Sequence, residues 1–435
     1  MDRFLTKDIP HEDGAGVKIA GWVSEIRAFG KLNFIILRDR EGEAQIIVKK
    51  GVSGEDTIKK TGELTRESVI EVEGKVKLNK EAPGGLEIIP ESIEILSKAE
   101  TPLPIDFSGK VDTTMDKRLD NRFMDLRNPG ITAIFKIRSE ICSAIRVFMG
   151  ENGFIEMQTP KISEAGAEGG ANLFTVDYFG KKAYLSQSQQ LYKQMMLIAG
   201  FDRVYEIGPS FRAEKSHTRR HVSEFTQLDV EMSFIESEED VLKTEENLMK
   251  HVIESVKKNC SKELDALEVE LEIPKIPFPR ISHAEAIKML QKSGVDIKEG
   301  QDIGLEEEKK LGELVKKKTG SDFYFLIKFP WELEVCKFYW MRDGVTGRGA
   351  DLEYMGQELT SGSQREHRYG KLVEQIKEKG LDPKDFEDYL KPFMYGAPPH
   401  GGFGMGIDRL VMYLLGLKNI REGILFPRDT DRLSP

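Results

Sequence analysis

Two stretches of this chain carry arginines and carboxylates at spacings that could serve one polyphosphate. Residues 211–231 read FRAEKSHTRRHVSEFTQLDVE, and about 190 residues later GGFGMGIDRLVM fills 401–412. Alternation places Arg212 and Glu214 on one face of a strand, with Arg220 and His221 beyond a short polar turn. The second stretch reads as a glycine-rich turn ahead of an apolar helix, with Arg409 in the first helical turn. Guanidinium forks meet phosphate oxygens two bonds at a time, and carboxylates hold the magnesium that shares the charge. The chemistry implied is the binding, bending and attack of a polyphosphate. Each piece alone has a plainer reading. An Arg-x-Glu pair is usually a surface ion pair, and glycines often only close a helix against a sheet.

The elements that must position these residues follow from length and pattern. At 435 residues the chain exceeds one ordinary core, so two domains with an insertion are expected. KIAGWV (18–23), NFIILRD (33–39), AQIIVK (44–49), SVIEVEGKVKL (68–78) and LEIIP (86–90) read as strands, with a helix near Glu55–Leu64. Five strands with a helix after the third is the order of an OB-type barrel; SH3-like barrels and small sandwiches read similarly. ETPLPIDFSG (100–109) lacks periodicity and reads as linker. ITAIFKIRSEICSAIRVFMGENG (131–153) has helical spacing and stops at Asn152-Gly153, and FIEMQTP (154–160) follows as a strand. Residues 236–258 and 283–318 read as charged helices of an insertion. YFLIKFP (324–330), KFYWMR (337–342) and ADLEYMGQELTSG (350–362) return to strand-like alternation.

Composition sets limits. With 39% hydrophobic and 32% charged residues the chain is expected to be soluble and folded. No apolar run of about 18 residues is present, which excludes a helical membrane span. The opening MDRFLTKDIPHEDG has no apolar signal core, and Cys142, Cys260 and Cys336 are scattered, so a reducing cytoplasm is expected. A formal charge of −10 gives no global attraction to nucleic acid, so any RNA binding must be local.

The 211–231 string resembles motif 2 of the class II aminoacyl-tRNA synthetases, GGFGMGIDR resembles their motif 3, and the segment 131–160 resembles their dimer-forming motif 1. ISEAGAEGGANLF (162–174), YLSQSQQLYKQMM (184–196), DLEYMGQELTSGSQREHR (351–368) and ILFPRDTDRLSP (424–435) are similar to archaeal-type aspartyl-tRNA synthetases. The resemblance spans essentially the whole chain. It implies an α+β fold: an OB-type anticodon-binding domain over 1–102, a linker over 103–130 and a class II catalytic domain over 131–435, with an excursion over about 236–320. It implies ATP as substrate, Mg²⁺ as cofactor, and ligation of L-aspartate to tRNA. Arg212, Glu358 and Arg409 would carry the catalysis. Glu168 would hold the α-ammonium, and Gln190, Leu191, Tyr192 and Lys193 would line the amino-acid pocket. Lys193 and Arg365 would grip the side-chain carboxylate. Arg212 would reach both substrate carboxylate and α-phosphate, while Ala213, Glu214, Arg220, His221 and Val222 border ATP. Glu358 and Ser361 would ligate magnesium with Asp351 nearby, and Gly406, Ile407, Asp408 and Arg409 would close the nucleotide site. In the barrel, Phe34 and Gln45 would stack on and hydrogen-bond an anticodon base, with Arg27 as a further phosphate or base contact.

The residue chemistry fits. A buried carboxylate substrate needs cationic partners to offset desolvation, and asparagine would leave Lys193 and Arg365 unpaired. Aspartate is already an ionised nucleophile, so His221 reads as an ATP neighbour and His400 as structural. The chain departs from the family where strict enzymes tend to carry tryptophan (here Ser24) and lysine (here Pro83, in EAPGGLE). Proline there resembles the non-discriminating form, which would charge tRNA(Asp) and tRNA(Asn) and leave aspartyl-tRNA(Asn) for an amidotransferase; loop drift is the plainer alternative. Asp408 stands where many relatives have glutamate and Ser363 where they often have glycine. A homodimer is implied by the family alone. The rivals are a strictly discriminating aspartyl enzyme, an asparaginyl enzyme or asparagine synthetase paralogue, a catalytically silent tRNA-binding paralogue, and an OB protein of single-stranded DNA.

Overall fold

The computed structural model describes residues 2–109, 111–164, 173–214 and 218–435, so Glu168 lies outside the described residues. Two compact units form, Met1–Asp106 and Phe107–Pro435.

In the first unit, β1 (Gly16–Phe29), β2 (Leu32–Arg38), β3 (Glu43–Lys49), α1 (Glu55–Glu63), β4 (Val69–Leu78) and β5 (Leu86–Ser97) follow in order. They close a barrel in the order β1-β2-β3-β5-β4, the OB arrangement that the strand–helix order predicts. Period-two alternation builds it: Ile35, Leu37, Ala44, Ile46 and Val48 point inward and are buried, while Phe34 and Gln45 face out.

The second unit opens with α2 (Met115–Asp120) and α3 (Arg122–Asp125), inside the stretch expected to be linker. The segment is pinned by Arg122, which is buried and donates to Asp125 and to the carbonyls of Glu422, Ile424 and Leu425. A guanidinium removed from water needs this many acceptors, so 115–125 is a clasp on the C-terminal segment. α4 (Pro129–Glu151) starts where the Asn128 side chain accepts from the N–H of Gly130 and Ile131, with proline at the first helical position. Its stripe of Ile134, Ile137, Ile141, Ile145 and Phe148 enters the main core.

Of the strand expected at 154–160 only β6 (Ile155–Glu156) is paired. β7 (Ile162–Ser163), β8 (Thr175–Tyr178) and β9 (Lys181–Leu185) form a side sheet, followed by α5 (Gln190–Ile198), β10 (Arg203–Phe211) and β11 (Glu224–Ser233). α6 (Glu238–Asn259) begins the expected excursion, yet Val241, Leu248, Val252 and Val256 pack into the same core as α4. Its charged residues concealed that apolar stripe. α7 (Ser261–Ala266), β12 (Arg280–Ser282), α8 (His283–Lys292), α9 (Leu305–Thr319) and β13 (Phe323–Ile327) come next.

KFYWMR is not a strand. Phe338 and Tyr339 are buried in a turn, Trp340 makes a single bridge to Arg365, and Arg342 alone enters a strand, in the hairpin of β14 (Arg342–Asp343) with β15 (Thr346–Gly347). The last elements are β16 (Gly349–Tyr354), β17 (Glu358–Arg365), α10 (Tyr369–Glu378), α11 (Glu387–Phe393), β18 (His400–Gly406) and α12 (Ile407–Leu414). Among the described residues, eight strands form the central sheet in the order β12-β13-β16-β17-β18-β11-β10-β6. It is antiparallel but for β12–β13 and β6–β10. One face, with Leu228, Val230, Leu352, Phe403 and Met405, packs on α4, α6 and α12. The other face carries the polar residues of the strands.

Candidate functional site

Register lines up this second face. Asp229 pairs with Gly404, Gly404 with Ser361, and Ser361 with Asp351; one step along, Glu231 pairs with Gly402 and Gly402 with Ser363. The glycine-rich segment expected as a turn is therefore the central strand β18. Its glycines make a floor without side chains. A Cβ on Gly402 would sit 2.0 Å from the Val230 carbonyl and 2.4 Å from Glu231 Oε2, and one on Gly404 would sit 2.7 Å from Gln227 Nε2. Above this floor opens a cavity of about 620 Å³.

The cavity wall includes Gln190, Lys193, Arg212, Glu214, Arg220, His221, Val222, Glu358, Ser361, Arg365, Gly406, Asp408 and Arg409, all singled out in the sequence. The cations therefore meet although their segments are far apart in the chain. Leu191 packs into the second hydrophobic cluster, and Ile407 is buried in the main core. Tyr192 and Ala213 are not part of the wall. Asp351 is also off the wall: it is buried behind Ser361, its strand partner, which bonds its carboxylate. Burial, with Glu358 close by, pushes the Asp351 carboxyl well above the usual range. Of the acids expected at the magnesium site, Glu358 is the one on the cavity wall, and it lies 3.7 Å from Arg409.

Arg212 corrects one expectation. β10 ends at Phe211, so Arg212 and Glu214 lie just past the strand, although the Arg212 N–H still pairs with the Ser223 carbonyl. The guanidinium sits 5.3 Å over the Phe225 ring and 3.8 Å from Glu214. His221 joins this mouth, with Nδ1 2.6 Å from Thr218 Oγ1 and Nε2 3.4 Å from Arg409 Nη2. Burial, opposed by Glu214 and reinforced by Arg409, Arg220 and Arg212, holds its imidazole below the usual value. Asp408 borders the cavity, but its carboxylate serves the fold by accepting from Arg138 and from the Thr226 N–H at 2.7 Å.

The deep end differs most from expectation. Lys193 and Arg365 are not vacant counter-ions. Lys193 Nζ lies 2.9 Å from Asp229 Oδ1, 3.4 Å from Glu231 Oε2 and 3.0 Å from the Phe403 carbonyl. Arg365 donates to Glu231 at 2.9 and 3.1 Å, to Ser363 Oγ at 2.7 Å and to the Gly402 carbonyl at 2.8 Å, and stacks 5.3 Å over Tyr339. Four of its five N–H groups are thus engaged, leaving one without a partner among the described residues. Burial alone would raise the Glu231 carboxyl, but Arg365 and Lys193 outweigh it and hold it below the usual range. Asp229 and Glu231 were visible only as members of an acidic strand. Their alternation with Gln227 was the available signal, since positions two apart share a face.

Beneath β17, Glu245 of α6 accepts from Thr360. Burial, with some help from Glu246, pushes its carboxyl up to about 8 against the opposing bond from Thr360 and the pull of Arg365 and Lys193. Below its ordinary value of 4.5 both folded and unfolded states hold the proton. From there to about 8 only the folded state keeps it, so stability falls as pH rises, by up to about 1.4 kcal/mol per pH unit. Glu245→Gln is expected to abolish this decline and to melt above the parent at pH 8 but not at pH 4.5. Melting midpoints at the two pH values check it, and identical pH profiles would refute it.

In the barrel, Arg27 is strand-paired with Phe34, and Gln45 with Ile36, so the three share the outer face. Phe34 meets the 65% exposed Phe29 edge to face at 6.0 Å, and Arg27 lies 2.5 Å from Glu25. Pro83 is exposed in the turn before β5, and Ser24 Oγ donates to Glu43 at 3.0 Å. An exposed and a half-buried aromatic beside a cation suit base stacking. No helix among the described residues is long and apolar enough to cross a membrane.

Comparison with known proteins agrees with this geometry. The family model for tRNA synthetases class II (D, K and N) matches residues 114–430, and that for the OB-fold nucleic acid binding domain matches 17–96. The chain is 49% identical over 435 residues to the aspartate–tRNA(Asp/Asn) ligase of Methanopyrus kandleri, covering 100% of this chain and 99% of that one. It is 50% identical over 426 residues to the aspartate–tRNA(Asp) ligase of Pyrococcus horikoshii, covering 97% of each. Among solved structures, the asparaginyl-tRNA synthetase of Pyrococcus horikoshii complexed with asparaginyl-adenylate superposes with a TM-score of 0.92 at 37% identity, covering 100% of both chains.

Proposed function

Because the chain belongs to the class II aminoacyl-tRNA synthetases of the D, K and N group, we propose that it activates L-aspartate with ATP and transfers the aspartyl group to the 3′ end of tRNA(Asp). The observation that carries the choice of aspartate is the buried cluster in which Lys193 and Arg365 meet Asp229 and Glu231 at the cavity floor. Two cations and two carboxylates leave that floor formally neutral, and the remaining N–H of Arg365 supports capture of one further carboxylate. Lys193 would then share its protons between Asp229 and the substrate. An asparagine amide offers Arg365 a weaker, neutral acceptor in place of a charge-assisted bond.

In the first step the substrate α-carboxylate attacks the α-phosphorus of ATP, the Pα–O bond to pyrophosphate breaks, and aspartyl-adenylate forms. Arg212 and Arg409 supply positive charge where negative charge accumulates, and Phe225 holds the Arg212 fork in place. In the second step a terminal ribose hydroxyl of the tRNA attacks the mixed anhydride and AMP leaves. His221 stays an ATP neighbour.

Glu358 and Ser361 on the cavity wall suit magnesium, and buried Asp351, the strand partner of Ser361, keeps Oδ1 without a hydrogen-bond partner among the described residues. No group of three acidic, histidine or cysteine side chains among the described residues could hold a metal unaided. That fits an ion taking few protein ligands plus phosphates and water. When bound, magnesium neutralises phosphate charge.

Non-discrimination between tRNA(Asp) and tRNA(Asn) is part of the proposal, supported by Pro83, which presents neither an N–H nor a cation in its exposed turn. Relatives named for one tRNA and for both match at 50% and 49% identity, so this part of the proposal rests on the barrel residues. A homodimer and hand-off of aspartyl-tRNA(Asn) to an amidotransferase complete the reading. Amino-acid-dependent ATP–pyrophosphate exchange tests the first step: exchange with aspartate and little with asparagine is expected, and equal exchange with both sinks the assignment. Aminoacylation of the two tRNA transcripts then tests the breadth.

A further inference from the structure

A second layer of hydrogen bonds lies behind the cavity wall, and its direction is fixed by one atom that can only accept. The Pro398 carbonyl lies 2.8 Å from His400 Nδ1, so Nδ1 carries the proton. His400 is wholly buried, and burial pushes its imidazole down to about 4, against Glu231 and with Arg365 and His367. The ring is neutral, so Nε2 accepts, and its partner at 2.8 Å is Gln194 Nε2. Gln194 Oε1 then points the other way and accepts from Gln190 Nε2 at 2.9 Å and Tyr389 Oη at 3.0 Å. Gln190 lines the cavity, and with one of its two amide N–H groups given to Gln194 the orientation of its carbonyl oxygen is fixed as well.

We propose that His400, Gln194 and Tyr389 are positioning residues that fix the Gln190 amide and offer its carbonyl oxygen to the cavity, so that this wall recognises a substrate ammonium. Turning any one amide over would set N–H against N–H or oxygen against oxygen inside a dry network, which makes the orientation cooperative. A fixed acceptor at this point matches the α-ammonium of an amino acid, a donor with three N–H bonds to give. The inference rests on the aspartate reading above and adds to it the residues that set the polarity of the wall.

The test compares Gln194→Met with Gln194→Glu in ATP–pyrophosphate exchange. Methionine ends the relay and frees Gln190 to turn. KM for aspartate is expected to rise about tenfold or more, with kcat and KM for ATP nearly unchanged, as for lost uniform binding. Glutamate still accepts from Gln190 and Tyr389 and draws a second proton onto His400, so KM for aspartate is expected to stay within about threefold of the parent. Selective ¹⁵N-histidine NMR of the unaltered protein should show His400 protonated on Nδ1 alone, and in Gln194→Glu on both nitrogens. A purely structural role predicts the reverse ranking, because a buried carboxylate disturbs the core more than methionine does. The proposal falls if Gln194→Met keeps the parental KM, if folded Gln194→Glu is the worse variant, or if His400 carries its proton on Nε2. Absence of aspartate-dependent exchange in the unaltered protein overturns the functional reading itself and the ammonium assignment with it. The NMR result then still decides the network.

Discussion

Replacing Lys193 with methionine is expected to lower stability by about 3–5 kcal/mol and to reduce aspartate-dependent exchange on the order of 10³-fold or more. Both effects have one cause. Lys193 is 1% exposed and stands between Asp229 and Glu231, themselves 2% and 0% exposed. Methionine fits the volume but removes the ammonium that lies 2.9 Å from buried Asp229, in a medium where a carboxylate is expensive to hold. A carboxylate substrate would then enter a floor already carrying excess negative charge. The double variant Lys193→Met/Asp229→Asn separates the two consequences. Removing the Asp229 charge should recover a large part of the lost stability, because Glu231 keeps its two-bond pairing with Arg365. Exchange should not return, because the substrate still lacks Lys193. Melting midpoints and exchange rates on the same preparations check both halves. A single variant that melts like the parent and activates aspartate with the parental KM would show that Lys193 is a bystander.

What the sequence allowed depended on whether the signal was local. The barrel strands were legible because inward Ile35, Leu37, Ile46 and Val48 alternate with outward residues within a few positions. α4 was legible from its apolar stripe and its Asn128-Pro129 start. The misread elements share the opposite property. Glycines at 401, 402, 404 and 406 signal a turn in isolation, and only the side chains of β11 and β17 beside them show that they make room within a strand. Phe338, Tyr339 and Trp340 have the composition of a strand, but they are consumed by packing in the second hydrophobic cluster. α6 looks solvated by charge count, yet Glu245 and Glu246 are buried with the apolar stripe. The pairing of Lys193 with Asp229 joins α5 to β11, and no spacing announces it. The sequence reading therefore named the cations of the site and overlooked the carboxylates that hold them, because partnership is a property of register.

Arg212 should behave in the contrary way. Its side chain is 44% exposed, rests on Phe225 and is only loosely paired with Glu214, so Arg212→Leu is expected to leave the melting midpoint essentially unchanged. The chemical step should nevertheless slow by about 10²–10³-fold in kcat, the range for losing one preorganised donor to a developing oxyanion. Arg212→Lys should recover only part, since an ammonium keeps the charge but loses the planar fork and its stacking on the ring. Single-turnover formation of aspartyl-adenylate isolates this step from product release. Lys193 and Arg212 thus divide what two cations can do around one substrate. A buried cation holds both the fold and the choice of amino acid, whereas a cation at the mouth acts chiefly as charge builds on phosphorus. If Arg212→Leu raised KM for ATP while kcat held, Arg212 would be gripping the ground state, and the stabilisation of the attack would have to be assigned to Arg409 instead.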